Sequence, residues 1–170
     1  MSFLQGYRSK YVFNTIDLEA DASQVWEEIT NVKVARFSFP WLFRLFGIPK
    51  PLSAEVIKAG VGGYRMATFD NDAQFQQDIL EWELYKIYRF RFNPTDNFRV
   101  GHFMKLSNGP FQIATGGYEL KATGEGIHLI LSSNYRLNGV IGAIMHVPFR
   151  LVVYGFQRYL LRGIADNLKQ

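Results

Sequence analysis

The sequence predicts an α+β fold, a curved antiparallel sheet of about six or seven strands wrapped around a long C-terminal helix. Three observations carry that expectation. From Val147 to Leu168, apolar residues recur at three- and four-residue steps, the period of a helix with one buried stripe. From Ser53 to Leu137 the period is two, broken by turn residues, as antiparallel strands require. Two short helical patterns lie between the first strand and Ser53. A meander of strands buries one face, and the final helix is its natural cover.

Taken in order, Tyr11 to Leu18 alternates as a strand with one largely apolar face. Asp21 then opens a helix, with Gln24 three residues on in capping-box spacing. Val25, Trp26 and Ile29 form its apolar side, and Glu27 and Glu28 face outward. Phe37 to Phe46 is unusually rich in large apolar residues, with Pro40 and Gly47 bracketing a short helix. Such a helix must cover a cavity or meet a partner. Ala54 to Lys58 and Tyr64 to Phe69 pair across the Gly60-Val61-Gly62-Gly63 turn. Gln74 to Leu84 and Lys86 to Asn93 follow, and a short strand is expected within Val100 to Lys105. Phe111 to Lys121 and Gly126 to Leu137 form the last hairpin, with Gly116-Gly117 expected to mark a bulge or bend.

Phe149, Val152, Val153, Phe156, Leu160, Ile164 and Leu168 make up the stripe of the last helix. Arg150, Tyr154, Arg158 and Arg162 lie four apart on another face. Gly155 and Gly163 weaken that helix by up to ~1 kcal/mol each, so a close approach or open space is expected beside them.

The length of 170 residues fits a single domain, 1–170, burying roughly two-thirds of its unfolded surface. Aromatics at 16%, with fifteen Phe, suit a wide interior that is hard to fill. Zero cysteines exclude disulfides, thiolate metal sites and cysteine nucleophiles. The net charge of +4 is spread along the chain, which argues against nucleic acid and for weak attraction to anionic membrane surfaces. Met1 to Lys10 has no apolar run of signal-peptide length, and Val140 to Val153 is too short to span a bilayer. A cytoplasmic protein is the expectation; the sequence leaves the oligomeric state open.

Several segments resemble one family. They are Asp21 to Trp26 after a strand, Gly60 to Arg65, Glu81-Trp82-Glu83, Gly116 to Leu120, Ser133 to Leu137, and the last helix with Gln157, Leu161 and Ile164. Together they are similar to the START-like, helix-grip (SRPBCC) superfamily, nearest its bacterial polyketide cyclase or dehydrase-like branch. The resemblance covers the whole chain and implies a cavity between sheet and C-terminal helix.

Candidate chemistry is sparse. Gly60 to Gly63 lacks dinucleotide and Walker spacing and is a hairpin turn. His102, His128 and His146 have no metal-ligand spacing, so neither metal nor cofactor is expected. Glu81 and Glu83 share a strand face and could divide acid and base roles, but pairing with Arg89 or Arg91 explains them as well. No serine sits in a nucleophile elbow. The favoured reading is binding of a hydrophobic small molecule: a lipid, isoprenoid or polyketide-like compound. Its expected contacts are Phe39, Trp41 and Phe43 from a lid, with Trp41 and Phe43 pointing inward, and Phe90 from the sheet. Val152, Phe156, Tyr159 and Leu160 would add contacts from the helix, with Tyr64, Gln77, Arg91, His102 and Tyr135 as orienting polar groups. A competing reading is a cyclase, dehydrase or aromatase moving protons with His102 or Glu81. A third is an interaction module using residues 37–46.

Overall fold

The computed structural model describes residues 8–34, 37–45, 47–94, 99–100, 104–105 and 110–169. Strand β1 (Arg8–Leu18) is followed by helix α1 (Ala22–Thr30), strand β2 (Asn31–Val32) and helix α2 (Trp41–Leu45). Then come β3 (Pro51–Lys58), β4 (Tyr64–Phe69), β5 (Gln74–Glu83) and β6 (Ile87–Pro94). The short strands β7 (Arg99–Val100) and β8 (Met104–Lys105) pair only with each other. Strands β9 (Phe111–Thr123) and β10 (Gly126–Leu137) lead into helices α3 (Gly139–Ile144) and α4 (His146–Leu168).

The main sheet has eight strands in the order β1-β10-β9-β6-β5-β4-β3-β2, all antiparallel. The count exceeds the expected six or seven because the two-residue β2 adds to β3, a pairing too short to leave a period in the sequence. The segment expected as one strand within Val100 to Lys105 is instead a small hairpin. Helix α3 was not anticipated: in the sequence its residues belong to the apolar run from Val140 to Val153, which shows no period of its own before Val147.

Local rules account for the element ends. Gln24 Oε1 accepts a hydrogen bond from the Asp21 N–H at 3.0 Å, which secures the start of α1. Gly47 takes a left-handed φ of 65°, and the Ile48 N–H returns to the Phe43 carbonyl at 2.8 Å, closing α2. Sheet curvature comes from register shifts at β3/β4, β5/β6 and β9/β10, each bending its strand. The Gly116-Gly117 pair is not one of them, since its register runs unbroken. A Cβ on Gly117 would lie 2.7 Å from Arg89 Cγ, so the pair lets β6 approach closely; the shift falls beside Asn134 and Tyr135.

The β5/β6 shift between Ile79 and Glu81 reverses the inside–outside phase of β5. Phe75, Gln77 and Ile79 are buried before it, and Trp82 meets Trp26 and Tyr88 after it. Without the shift, Glu81 would have followed Ile79 into the core.

Helix α4 packs on β1 and α1, held by one buried amide. Gln157 Nε2 donates to the Val12 carbonyl at 3.1 Å and to Ser133 Oγ at 2.9 Å. Its Oε1 accepts from Asn14 Nδ2 at 2.8 Å. At the far end of α4, Asn167 donates to the half-buried Glu28 at 2.6 Å, so Glu28 does not simply face outward as expected.

Candidate functional site

The inner face of the sheet and the facing side of α4 enclose an aromatic interior. On the sheet side, Phe75, Tyr88, Phe90, Phe92 and Tyr118 form a chain of ring contacts, with centroids 5.1 to 6.4 Å apart. Strand alternation puts them there, because residues two apart share a face. On the helix side, Phe39, Phe43, Phe156 and Tyr159 make a second group, closed by a Phe39–Tyr159 contact at 5.5 Å and a Phe43–Phe156 contact at 6.1 Å. At the start of α4, Phe111 stacks on Phe149 at 4.2 Å and touches Tyr135 at 5.1 Å.

Polar atoms inside this interior lack partners. Arg65 on β4 is 3% exposed, opposite Gln77 on β5, and its guanidinium lies 5.8 Å from the Tyr88 ring centre. No ion pair involves Arg65 among the described residues. Among the described residues, Arg65 Nε, Gln77 Oε1 and the hydroxyls of Tyr135 and Tyr159 are buried without hydrogen-bond partners, and the Tyr88 hydroxyl has only the Arg65 guanidinium beside it. Burial raises the pKa of the Tyr88 and Tyr118 phenols, and the Arg65 guanidinium beside them opposes that rise. Burial pushes Tyr159 up to about 12, and it also raises Tyr135, against the pull of Arg150. These phenols therefore stay neutral in ordinary buffers.

No protein-family model matches the sequence, and no curated protein matches it. Solved structures match over nearly the whole chain. A protein from Nitrosomonas europaea superposes with a TM-score of 0.58 at 16% identity, covering 94% of each chain. A point mutant of norcoclaurine synthase from Thalictrum flavum, solved with a transition-state analogue, gives 0.56 at 13% identity, over 96% of each chain. Ara h 8.0201 gives 0.54 at 11% identity, over 96% of this chain and 98% of the other. The chain has the helix-grip fold.

In helix-grip terms α4 is the gripped helix, and the curved antiparallel sheet around a long C-terminal helix expected from the sequence is the architecture observed. The expected site residues divide. Phe39, Phe43, Phe156 and Tyr159 come together as one ring cluster, and Val152 and Leu160 are half-buried on the same helix. Gln77, Phe90 and Tyr135 are buried on the inner sheet face. Trp41 does not point inward as expected: it is 69% exposed, because a helix as short as α2 turns only one side to α4, and Phe43 holds it. Tyr64 and Arg91 are also corrected. Each alternates with a buried neighbour, Arg65 or Phe90, so each faces outward. Glu81 is on the outer face, 2.9 Å from Arg89, a geometry that serves the sheet surface and not an interior proton transfer. His102 lies outside the described residues. His128 bonds Asp17 at 2.6 Å on the outer face, and the half-buried His146 lies 6.1 Å from the Tyr135 ring.

Arg65 is the residue that sequence reasoning missed. A charged side chain in a strand is read outward by default. The available signal was its phase: Arg65 shares a face with the small Ala67, not with Tyr64 and Met66. Two of the hollows among the described residues open outward. One is a groove of about 700 Å³ between β1 and α4, and the other a depression of about 450 Å³ at the Val61 to Tyr64 turn.

Proposed function

We propose that this chain binds a hydrophobic small molecule between the inner sheet face and α4, with α2 as its lid. One observation carries the reading: four buried polar atoms without partners among the described residues, distributed over aromatic walls. Natural interiors hold few such atoms, and each lost hydrogen bond costs about 1–3 kcal/mol. A bound molecule with a polar head and an apolar body would satisfy them. Arg65 Nε would donate to an acceptor on that head, and Gln77 Oε1 would accept from a hydroxyl. Apolar burial would dominate affinity, at about 25 cal/mol per Å² before entropic costs. A lipid, an isoprenoid or a polyketide-like compound meets these requirements. Binding is preferred to cyclase or dehydrase chemistry because Glu81 is paired on the outer face and the interior phenols stay protonated.

Native mass spectrometry of the purified protein tests the proposal. An adduct released on denaturation as an apolar compound is the expected result. Protein at its bare mass, with no displacement of the dye ANS by fatty acids or isoprenoids, would overturn it. Turnover of the recovered compound by the wild-type protein would promote the enzyme reading instead.

A further inference from the structure

Away from the interior, one face combines apolar and basic residues. Helix α3 and the first turns of α4 present Val140, Ile141, Ile144, Val147 and Leu151 to solvent, each 62 to 71% exposed. Single exposed apolar residues are ordinary, but five on successive turns form a patch that calls for a cover. On α4 this patch runs into Arg150, Arg158 and Arg162, which line the groove of about 700 Å³ against β1. Tyr11 and Phe13 of β1 stand on the groove's other side, both largely exposed. None of the residues lining the groove is acidic. None of the three arginines is in an ion pair among the described residues. No Asp or Glu occurs in the sequence between Glu125 and Asp166.

Helix geometry explains the mixture. Arg150, Arg158 and Arg162 are four or eight residues apart, and Val147 and Leu151 fall within the same exposed arc. The occupant must therefore accept apolar side chains and cations together. A second copy docking symmetrically would bring two arginine rows toward each other, which costs electrostatic energy. An anionic lipid surface meets both demands, with phosphate and carboxylate head groups for the arginines and the acyl boundary for the apolar residues. No helix among the described residues is long and apolar enough to cross a membrane, and a face that mixes apolar residues with arginines suits contact in the plane of the interface.

We propose that this face docks the protein on membranes containing anionic lipid. Helix α3 and the first turns of α4 enter the head-group layer, and Arg150, Arg158 and Arg162 sit on lipid phosphates. The docking needs no ligand in the interior, so it stands or falls apart from the binding function above.

Sedimentation with vesicles provides the test. Wild-type protein should pellet with phosphatidylcholine vesicles containing phosphatidylserine, pellet far less with phosphatidylcholine alone, and be released by high salt. Ile144→Glu/Leu151→Glu should weaken binding by roughly tenfold or more, and so should Arg158→Glu/Arg162→Glu. All four positions are exposed, and circular dichroism checks that each variant folds. The wild-type dependence on phosphatidylserine and salt is decisive even if a variant does not fold. Absence of wild-type binding to either vesicle would overturn the proposal, as would binding indifferent to phosphatidylserine. A concentration-dependent dimer that Ile144→Glu/Leu151→Glu dissolves, without vesicle binding, would assign the face to a second copy instead.

Discussion

The two halves of α4 are similarly apolar and meet opposite surroundings. In the first half, Val147 and Leu151 are 62% and 65% exposed; in the second, Leu161 and Ile164 are 2% and 0% exposed. The second half is enclosed by β1, α1 and Phe37, and Asn167 ties it to Glu28. The first half packs Phe149 on Phe111 and Phe156 on Phe43, and leaves Val147, Leu151 and Tyr154 in water. Apolar content therefore does not decide burial along this helix. Neighbours do, and the face they leave open, which continues to Arg158 and Arg162 in the second half, is the one available to other molecules.

The strongest way to break this comparison is at Gln157, where the two halves join. Gln157→Leu keeps the volume but removes the partner of the Val12 carbonyl and Ser133 and leaves Asn14 only the Tyr154 carbonyl. At about 1–3 kcal/mol for each buried group left unpaired, the loss should lower Tm by several degrees, read by calorimetry. An unchanged Tm would mean that packing alone holds α4 to β1.

The glycines sharpen the contrast. A Cβ at Gly163 would lie 2.0 Å from Phe37, so Gly163→Ala must displace a buried ring. Overpacking of about 1–3 kcal/mol should outweigh the helix-propensity gain of up to ~1 kcal/mol, and Tm should fall. At Gly155 the nearest atom is Phe43 Cζ at 3.3 Å, the edge of a ring that can give slightly. Gly155→Ala should therefore be near neutral in thermal melts. Equal effects at both positions would show that the two halves are enclosed alike.

The smallest effect concerns Glu28, whose carboxyl is raised above its usual range, first by burial and then by Glu27. A raised carboxyl pKa means that folding favours the protonated form, so ionisation costs stability as pH rises through the carboxylate range. Glu28→Gln retains an acceptor for Asn167 and removes that cost. The variant should melt slightly higher than wild type at pH 7 and level with it near pH 4. A difference of the same size at both values would assign the effect to something other than ionisation.

Much of this could be read from residues alone. The gripped helix, the period-two strands and the Gly60 to Gly63 turn are local, because periodicity and turn chemistry are properties of neighbouring residues. So is the division of α4 into an apolar stripe and an arginine face. The interior ring cluster was legible as a list, in Phe39, Phe43, Phe156 and Tyr159, although not as contacts. Tertiary structure decided the phase of each strand relative to the core. The shift after Ile79 sent Glu81 outward and Trp82 inward, and pairing with β5 carried Arg65 into the core beside Gln77. It also decided which apolar residues remain in water, Trp41 on α2 and Val140, Ile141, Ile144, Val147 and Leu151 on α3 and α4. The physical reason is common to all of these. A side chain's period follows from its own chain, whereas its burial depends on whether a distant segment arrives to cover it, and no local pattern records that arrival.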